Sequence, residues 1–240
     1  MSTDERASRP SALDDPAILD DEVRLLGRIT ASSNGAHLVE LVHSGALAIY
    51  KPDALERPLW DFPPGLGRRE LAFRALAEFV GICHVPPIVV RHDLPYGSGT
   101  LQAFVDADFD LTYFELVEDQ AHHESLAVIA ALDIVANNAD RKGSHVLLDD
   151  EGRLWAIDNA LTFHPESKLR TVIWDLAGHP LPTALAARLA SLADDLPDDL
   201  ARLLEPEERR ALLQRAMRLV RRGALPPMPE HGRPYPWPPV

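Results

Sequence analysis

The stretch that decides the fold is NNADRKGSHVLLDDEGRLWAIDNALTFH, residues 137–164. It carries Asp140 just after an apolar helical run and Asp158 at the end of the strand-like LWAID. Between them HVLLDD and LWAID, around the turn DEG, read as a pair of strands. Upstream, residues 117–140 (VEDQAHHESLAVIAALDIVANNAD) predict a long helix, with Leu126, Ile129, Ala130 and Asp133 at helical spacing. The plain reading makes Asp140 a helix-end carboxylate and lets Asp158-Asn159 close a hairpin, as Asx residues favour such turns. The sharper reading holds the two carboxylates for chemistry on a phosphate.

Working outward towards the start, residues 21–52 (DEVRLLGRITASSNGAHLVELVHSGALAIYKP) read as three short strands. They run from Arg24 to Thr30, His37 to Val42 and Ala46 to Tyr50, with ASSNG and HSG as turns. A loop broken by four prolines follows, then the helix RRELAFRALAEFVG with a glycine at its end. Residues 85–105 give two more strands around a Tyr-Gly-Ser-Gly turn. Beyond the central stretch, helices are expected over about 182–196 and 205–223, the latter with acids first and bases last, as the helix dipole favours. Residues 224–240 are Pro-rich and read as a strap packed on the surface, or as a polyproline ligand for a protein partner.

Composition narrows the function classes. The chain has 240 residues, 46% hydrophobic and 25% charged, which suits a globular protein with a sizeable core. Its net charge of −13 argues against nucleic acid and against adhesion to anionic lipid. A single cysteine, Cys83, excludes an internal disulfide and fits a reducing cytoplasm. The first 16 residues lack the basic and apolar regions of a signal peptide. The run SLAVIAALDIVA is far short of the roughly 20 residues that span a bilayer.

Phosphoryl transfer needs a cation for the phosphates, a carboxylate to orient the attacking hydroxyl, and a metal held by another carboxylate. These groups occur in a workable order. Lys51 closes the third strand, Glu70 opens the next helix and would hold Lys51 by an ion pair, and Ser33 and Asn34 lie in a turn able to lay N–H groups over phosphates. Asp140 and Asp158 follow. Each alone is ordinary, since a strand-end lysine is usually a solvated charge. His122 and His123 are adjacent on a helix and so face different ways, which makes a metal pair a poor reading.

The segments LDIVANNADRKGSHVLL (132–148) and AIDNALTFHPESKLR (156–170) resemble the catalytic and metal-binding segments of the phosphatidylinositol 3-/4-kinase superfamily. The likeness is greatest to the type II phosphatidylinositol 4-kinases, whose pattern is D-R-G-N-D-N-W-L and then A-I-D-N-G-L-A-F-P. IYKP looks like the lysine strand, RELAFRAL the helix carrying the lysine's glutamate, and GSGTLQAFVD the hinge. HipA-type kinases resemble it more distantly, and the whole chain looks like a short actinobacterial group related to these kinases. The resemblance implies an α+β, bilobal, protein-kinase-like fold, with a small β-rich N-lobe containing one main helix and a mostly helical C-lobe. Residues 1–20 would be a flexible lead-in, 21–105 the N-lobe and hinge, 106–223 the C-lobe, and 224–240 a tail.

By the same resemblance Lys51 would hold the ATP phosphates, Glu70 would orient Lys51, and the backbone of Gln102, Phe104 and Val105 would meet the adenine. Asp140 would be the catalytic carboxylate and Asp158 a Mg²⁺ ligand. His145 stands where the family has an asparagine. Imidazole suits softer metals than Mg²⁺, so His145 as a ligand implies a weakened site, a preference for Mn²⁺, or nucleotide binding without turnover. Ala160 replaces a glycine, and the lipid-anchoring cysteines of the type II enzymes are missing, which disfavours stable membrane anchoring and a lipid substrate. The expectation is an ATP-dependent kinase acting on a hydroxyl of a soluble small molecule or protein. The alternatives are a non-catalytic nucleotide-binding scaffold and an AMP transferase.

Overall fold

The structure is a computed structural model that describes residues 16–30, 35–81 and 83–240. The chain divides into two compact units, residues 1–67 with 86–105 and residues 68–85 with 106–240. No described helix is long and apolar enough to cross a membrane.

Unit 1 is an antiparallel five-stranded sheet of order β1-β2-β3-β5-β4. Its strands are β1 Val23–Arg28, β2 His37–Leu41, β3 Leu47–Pro52, β4 Ile88–Arg91 and β5 Gly99–Ala103. Alternation in HLVEL turns Val39 and Leu41 inward, where both are fully buried with Ala48, Tyr50, Leu101 and Ala103. β1 is the mostly exposed edge, bulged between Leu25 and Gly27. β3 and β5 approach closely where they leave the sheet, because a Cβ on Gly99 would stand 2.4 Å from the Lys51 carbonyl. Only glycine fits opposite the lysine strand's end. Of the lead-in expected over 1–20, residues 1–15 lie outside the described residues, whereas Pro16–Leu19 form a 3₁₀ turn and Ile18 is buried in this core.

Helix α1 (Leu66–Val80) begins at the boundary and runs into unit 2, ending at Gly81 in the left-handed region, φ 73°. Its Ala72, Phe73, Leu76, Ala77 and Val80 join the larger core. Its fully buried Arg69 donates to the Thr162 carbonyl and pairs with Glu208 at 2.5 Å. These contacts explain why residues 68–85, which the sequence assigns to the smaller lobe, pack with the larger unit.

The rest of unit 2 comprises α2 Tyr113–Leu116, α3 His123–Ala136, the hairpin β6 Val146–Leu148 and β7 Leu154–Ala156, α4 Thr183–Ser191, α5 Asp198–Leu203 and α6 Pro206–Arg222. α3 is apolar almost all round and is the central helix: ten of its residues are buried. It starts later than its periodicity predicts, because Asp119 caps a separate 3₁₀ turn, Gln120–His122, ahead of it. α6 has Glu205 and Glu208 as a capping box, Pro206 in its first turn and Gly223 at φ 71° beyond its end, so both boundaries are written in its sequence. The helix expected to reach residue 196 stops at Ser191, whose carbonyl accepts from the N–H groups of Asp194 and Asp195, and α5 follows after Pro197.

Candidate functional site

The loop after α3 is held from two sides by main chain. Asn137 leaves the helix left-handed, at φ 58°, and its side-chain amide donates to the carbonyls of His164 (2.8 Å) and Glu166 (2.6 Å) while accepting from Lys168 N–H (2.9 Å). Ala139 N–H donates to Leu161, Phe163 N–H to Ala136, and Arg170 N–H to Asn138. Asn137, Asp158 (φ 55°) and Phe163 (φ 62°) are the three described non-glycine residues with positive φ. All lie in the stretch 137–164, where local strain is tolerated because its neighbours over-determine it.

Arg141 is the hub of this arrangement. It is fully buried and clasps Asp133, itself fully buried, through Nε at 2.9 Å and Nη2 at 2.9 Å. Its remaining donors reach the Ile157 carbonyl (2.7 Å), the His145 carbonyl (3.3 Å) and Asn159 Oδ1 (2.5 Å). Asn138 completes the shell of Asp133 at 2.9 Å. One guanidinium thus joins the central helix, the loop of Asp140 and the strand end of Asp158. A planar fork with five donors is the side chain suited to that task. Sequence reasoning missed this role, although the signal was present: one acid inside an otherwise apolar helix demands a buried partner.

Within unit 2 the structure brings Asp140, His145 and Asp158 together. The Asp140 carboxyl is pushed up to about 6, first by burial and further by the charge of Asp158, against the opposing pull of Lys142, Arg170 and Arg141. Lys142 Nζ stands 3.8 Å from its Oδ2. His145 Nε2 lies 3.5 Å from Asp158 Oδ2, and Lys142 N–H faces His145 Nδ1 at 3.4 Å. The ring thus sits between the Lys142 amide and the Asp158 carboxylate. Asp158, half exposed, remains an oxygen donor. That suits a hard cation held by one carboxylate and by a ligand's phosphates. Among the described residues, no group of three or more His, Cys, Asp or Glu converges as a self-sufficient metal site.

The other sequence-predicted residues are spread over both units. Lys51 pairs with Thr100, and Gln102 with Ile49, on the adjacent strands β3 and β5 of unit 1. Gln102 and Val105 are buried, and the N–H of Phe104 is bonded to Leu47 at 3.1 Å. Glu70 is buried on α1 in unit 2. Ser33 and Asn34 lie outside the described residues.

No family model matches this chain. Among solved structures, the Helicobacter pylori proinflammatory kinase CtkA superposes with a TM-score of 0.51 at 8% identity, over 85% of this chain and 93% of that one. HipA of Shewanella oneidensis MR-1, solved with HipB and operator DNA, gives 0.47 at 12% identity, over 80% and 65%. The likeness to CtkA is one of fold, a mixed α/β kinase-like fold with an antiparallel N-terminal sheet and a helical C-terminal part. In sequence, the chain is 35% identical over 266 aligned positions to Protein Rv2133c of Mycobacterium tuberculosis (strain ATCC 25618 / H37Rv), covering 94% of this chain and 95% of that protein. An alignment running through nearly the whole of both chains, the 137–164 stretch included in that span, places this protein in the family of Protein Rv2133c.

Proposed function

We propose that this chain is a phosphotransferase that uses ATP and a divalent cation to phosphorylate a hydroxyl on a soluble small molecule or protein. The observation that carries the reading is the pair Asp140 and Asp158, fixed by the single buried Arg141 on a kinase-like fold. Asp140, with its carboxyl near 6, is ionised at neutral pH yet basic enough to take a proton. The acceptor oxygen attacks the γ-phosphorus, the bond to the β-phosphate oxygen breaks, the hydroxyl proton passes to Asp140, and ADP leaves. Lys51 would hold the phosphates and Asp158 the cation, which when bound neutralises charge on the phosphate oxygens. Glu70 would orient Lys51. With Phe104 N–H engaged in the sheet, the adenine would be met by the backbone of Val105 and the carbonyls beside it. The likeness to type II phosphatidylinositol 4-kinases in AIDNALTF supports the same roles.

A second reading is favoured by one observation, the 3.5 Å approach of His145 to Asp158. His145 held against Asp158 would compete with the cation for that carboxylate and leave a nucleotide-binding protein without turnover. A thermal-shift series with ATP and ADP, in Mg²⁺ and in Mn²⁺, separates these. A ligand at 100 times its dissociation constant stabilises by about 2.7 kcal/mol, which is readily seen. The kinase reading expects a metal-dependent shift that Asp158→Ala and Lys51→Ala both lose, with ADP formed. A metal-independent shift without turnover selects the second reading. No shift with any nucleotide refutes both.

A further inference from the structure

Residues 234–240, PYPWPPV, lie along the loop that carries Asp140. The Pro234 carbonyl accepts from Thr171 N–H at 3.0 Å and from the Trp174 indole at 3.1 Å. The Pro239 carbonyl accepts from Gly143 N–H at 2.8 Å. Pro236, between them, is buried, whereas Trp237 is 89% exposed. Gly143 and Thr171 sit on segments already laced around Arg141: the Arg141 N–H donates to the Arg170 carbonyl and its carbonyl accepts from Val172 N–H, each at 3.1 Å. The loop is packed on both sides, since a Cβ on Gly143 would meet the Phe114 ring at 3.0 Å and Val240 at 3.3 Å.

The chemistry of the segment suits a clamp. Proline has a fixed φ and no N–H, so a proline-rich strand offers carbonyls at low entropic cost and donates little in return. Gly143 opens the 3₁₀ turn Gly143–His145, whose first N–H has no partner within the turn. The Pro239 carbonyl supplies that partner two residues before His145.

We propose that residues 234–240 are an intramolecular positioning strap. From one stiff segment they fix the Asp140–His145 loop against the chain that follows Asp158, and turnover requires the strap to be seated. The statement about turnover rests on the phosphotransferase reading; the statement about the loop does not.

The test compares the intact chain, a chain ending at Gly232, Pro236→Asp in the intact chain, and Trp237→Ala as a control. Hydrogen exchange of the Gly143 and Thr171 amides is read beside the amides of α6, the ATP-induced thermal shift and ADP formation. Truncation and Pro236→Asp are expected to speed exchange at Gly143 and Thr171 by about tenfold, the scale of one net hydrogen bond, while α6 stays protected. The nucleotide shift is retained and turnover falls by a similar factor. Trp237→Ala changes nothing, and a peptide of residues 233–240 added to the truncated chain restores slow exchange. Unchanged exchange at the two amides overturns the strap, and acceleration spread through α6 reduces it to general support of the core. A loosened loop with undiminished turnover overturns its positioning role. Absence of turnover in the intact chain refutes the phosphotransferase reading alone, and the exchange result still decides the strap.

Discussion

Replacing Asp140 by asparagine is expected to make the protein more stable while removing its chemistry. The Asp140 carboxyl is pushed from an ordinary value of 3.8 up to about 6, chiefly by burial. A carboxyl whose pKa is raised on folding binds its proton more tightly in the native chain than in the unfolded one. Between pH 4 and 6 the native state therefore holds more protons, and stability falls as pH rises. The penalty is fully present above about pH 6 and absent below the unfolded value. The gap from 3.8 to about 6 corresponds to about 3 kcal/mol, which the side chain's 29% exposure reduces to about 1–2 kcal/mol through solvent screening. Asparagine keeps the shape without the charge, and the residue-140 N–H keeps its 2.9 Å bond to Asn138. Urea unfolding of Asp140→Asn and wild type at pH 4, 6 and 8 reads the difference. The gain should be about 1–2 kcal/mol at pH 8, smaller at pH 6 and unresolved at pH 4. A neutral or destabilising effect at pH 8, or an equal gain at every pH, would refute the reasoning. In wild type, turnover should rise with pH through about 6 as Asp140 ionises.

Three further outcomes follow from the same geometry. Asp133→Asn leaves the Arg141 charge buried without its counter-ion, which costs about 3–5 kcal/mol and lowers Tm by about 6–20 °C in a chain of this size. Arg141→Lys should not escape, because an ammonium cannot reach Asp133, Ile157 and Asn159 together; a Tm within a degree or two of wild type in either variant would show that the network is not what holds the loop. His145→Asn offers an oxygen where the ring now faces Asp158, so the concentration of Mg²⁺ needed for the ATP thermal shift should fall relative to that of Mn²⁺. An unchanged ratio of the two metals would place His145 outside the cation's surroundings.

Much of the scaffold is legible in local pattern. The alternation in HLVEL, the apolar run of α3 and the capped ends of α6 each answer to forces acting over a few residues. The start of α3 shifted for an equally local reason, Asp119 capping a 3₁₀ turn ahead of it. Order in the chain, together with the resemblance to the kinase segments, also singled out Asp140 and Asp158.

What joins those carboxylates was not legible, because it is made by buried polar groups that only the folded chain brings together. Asp133 read as one position of a helical spacing, yet its pairing with Arg141 sets the loop and, through Ile157 and Asn159, the end of β7. The direction of the His145 ring depends on the Lys142 amide and on Asp158, and the seat of residues 234–240 depends on the amides of Gly143 and Thr171. The sequence by itself determined which segments become helix and strand and which acids stand at their ends, since periodicity and capping are local. Only the tertiary structure decided which charges are buried together and what each faces, since desolvation and hydrogen bonding are settled by neighbours that the chain brings from far away.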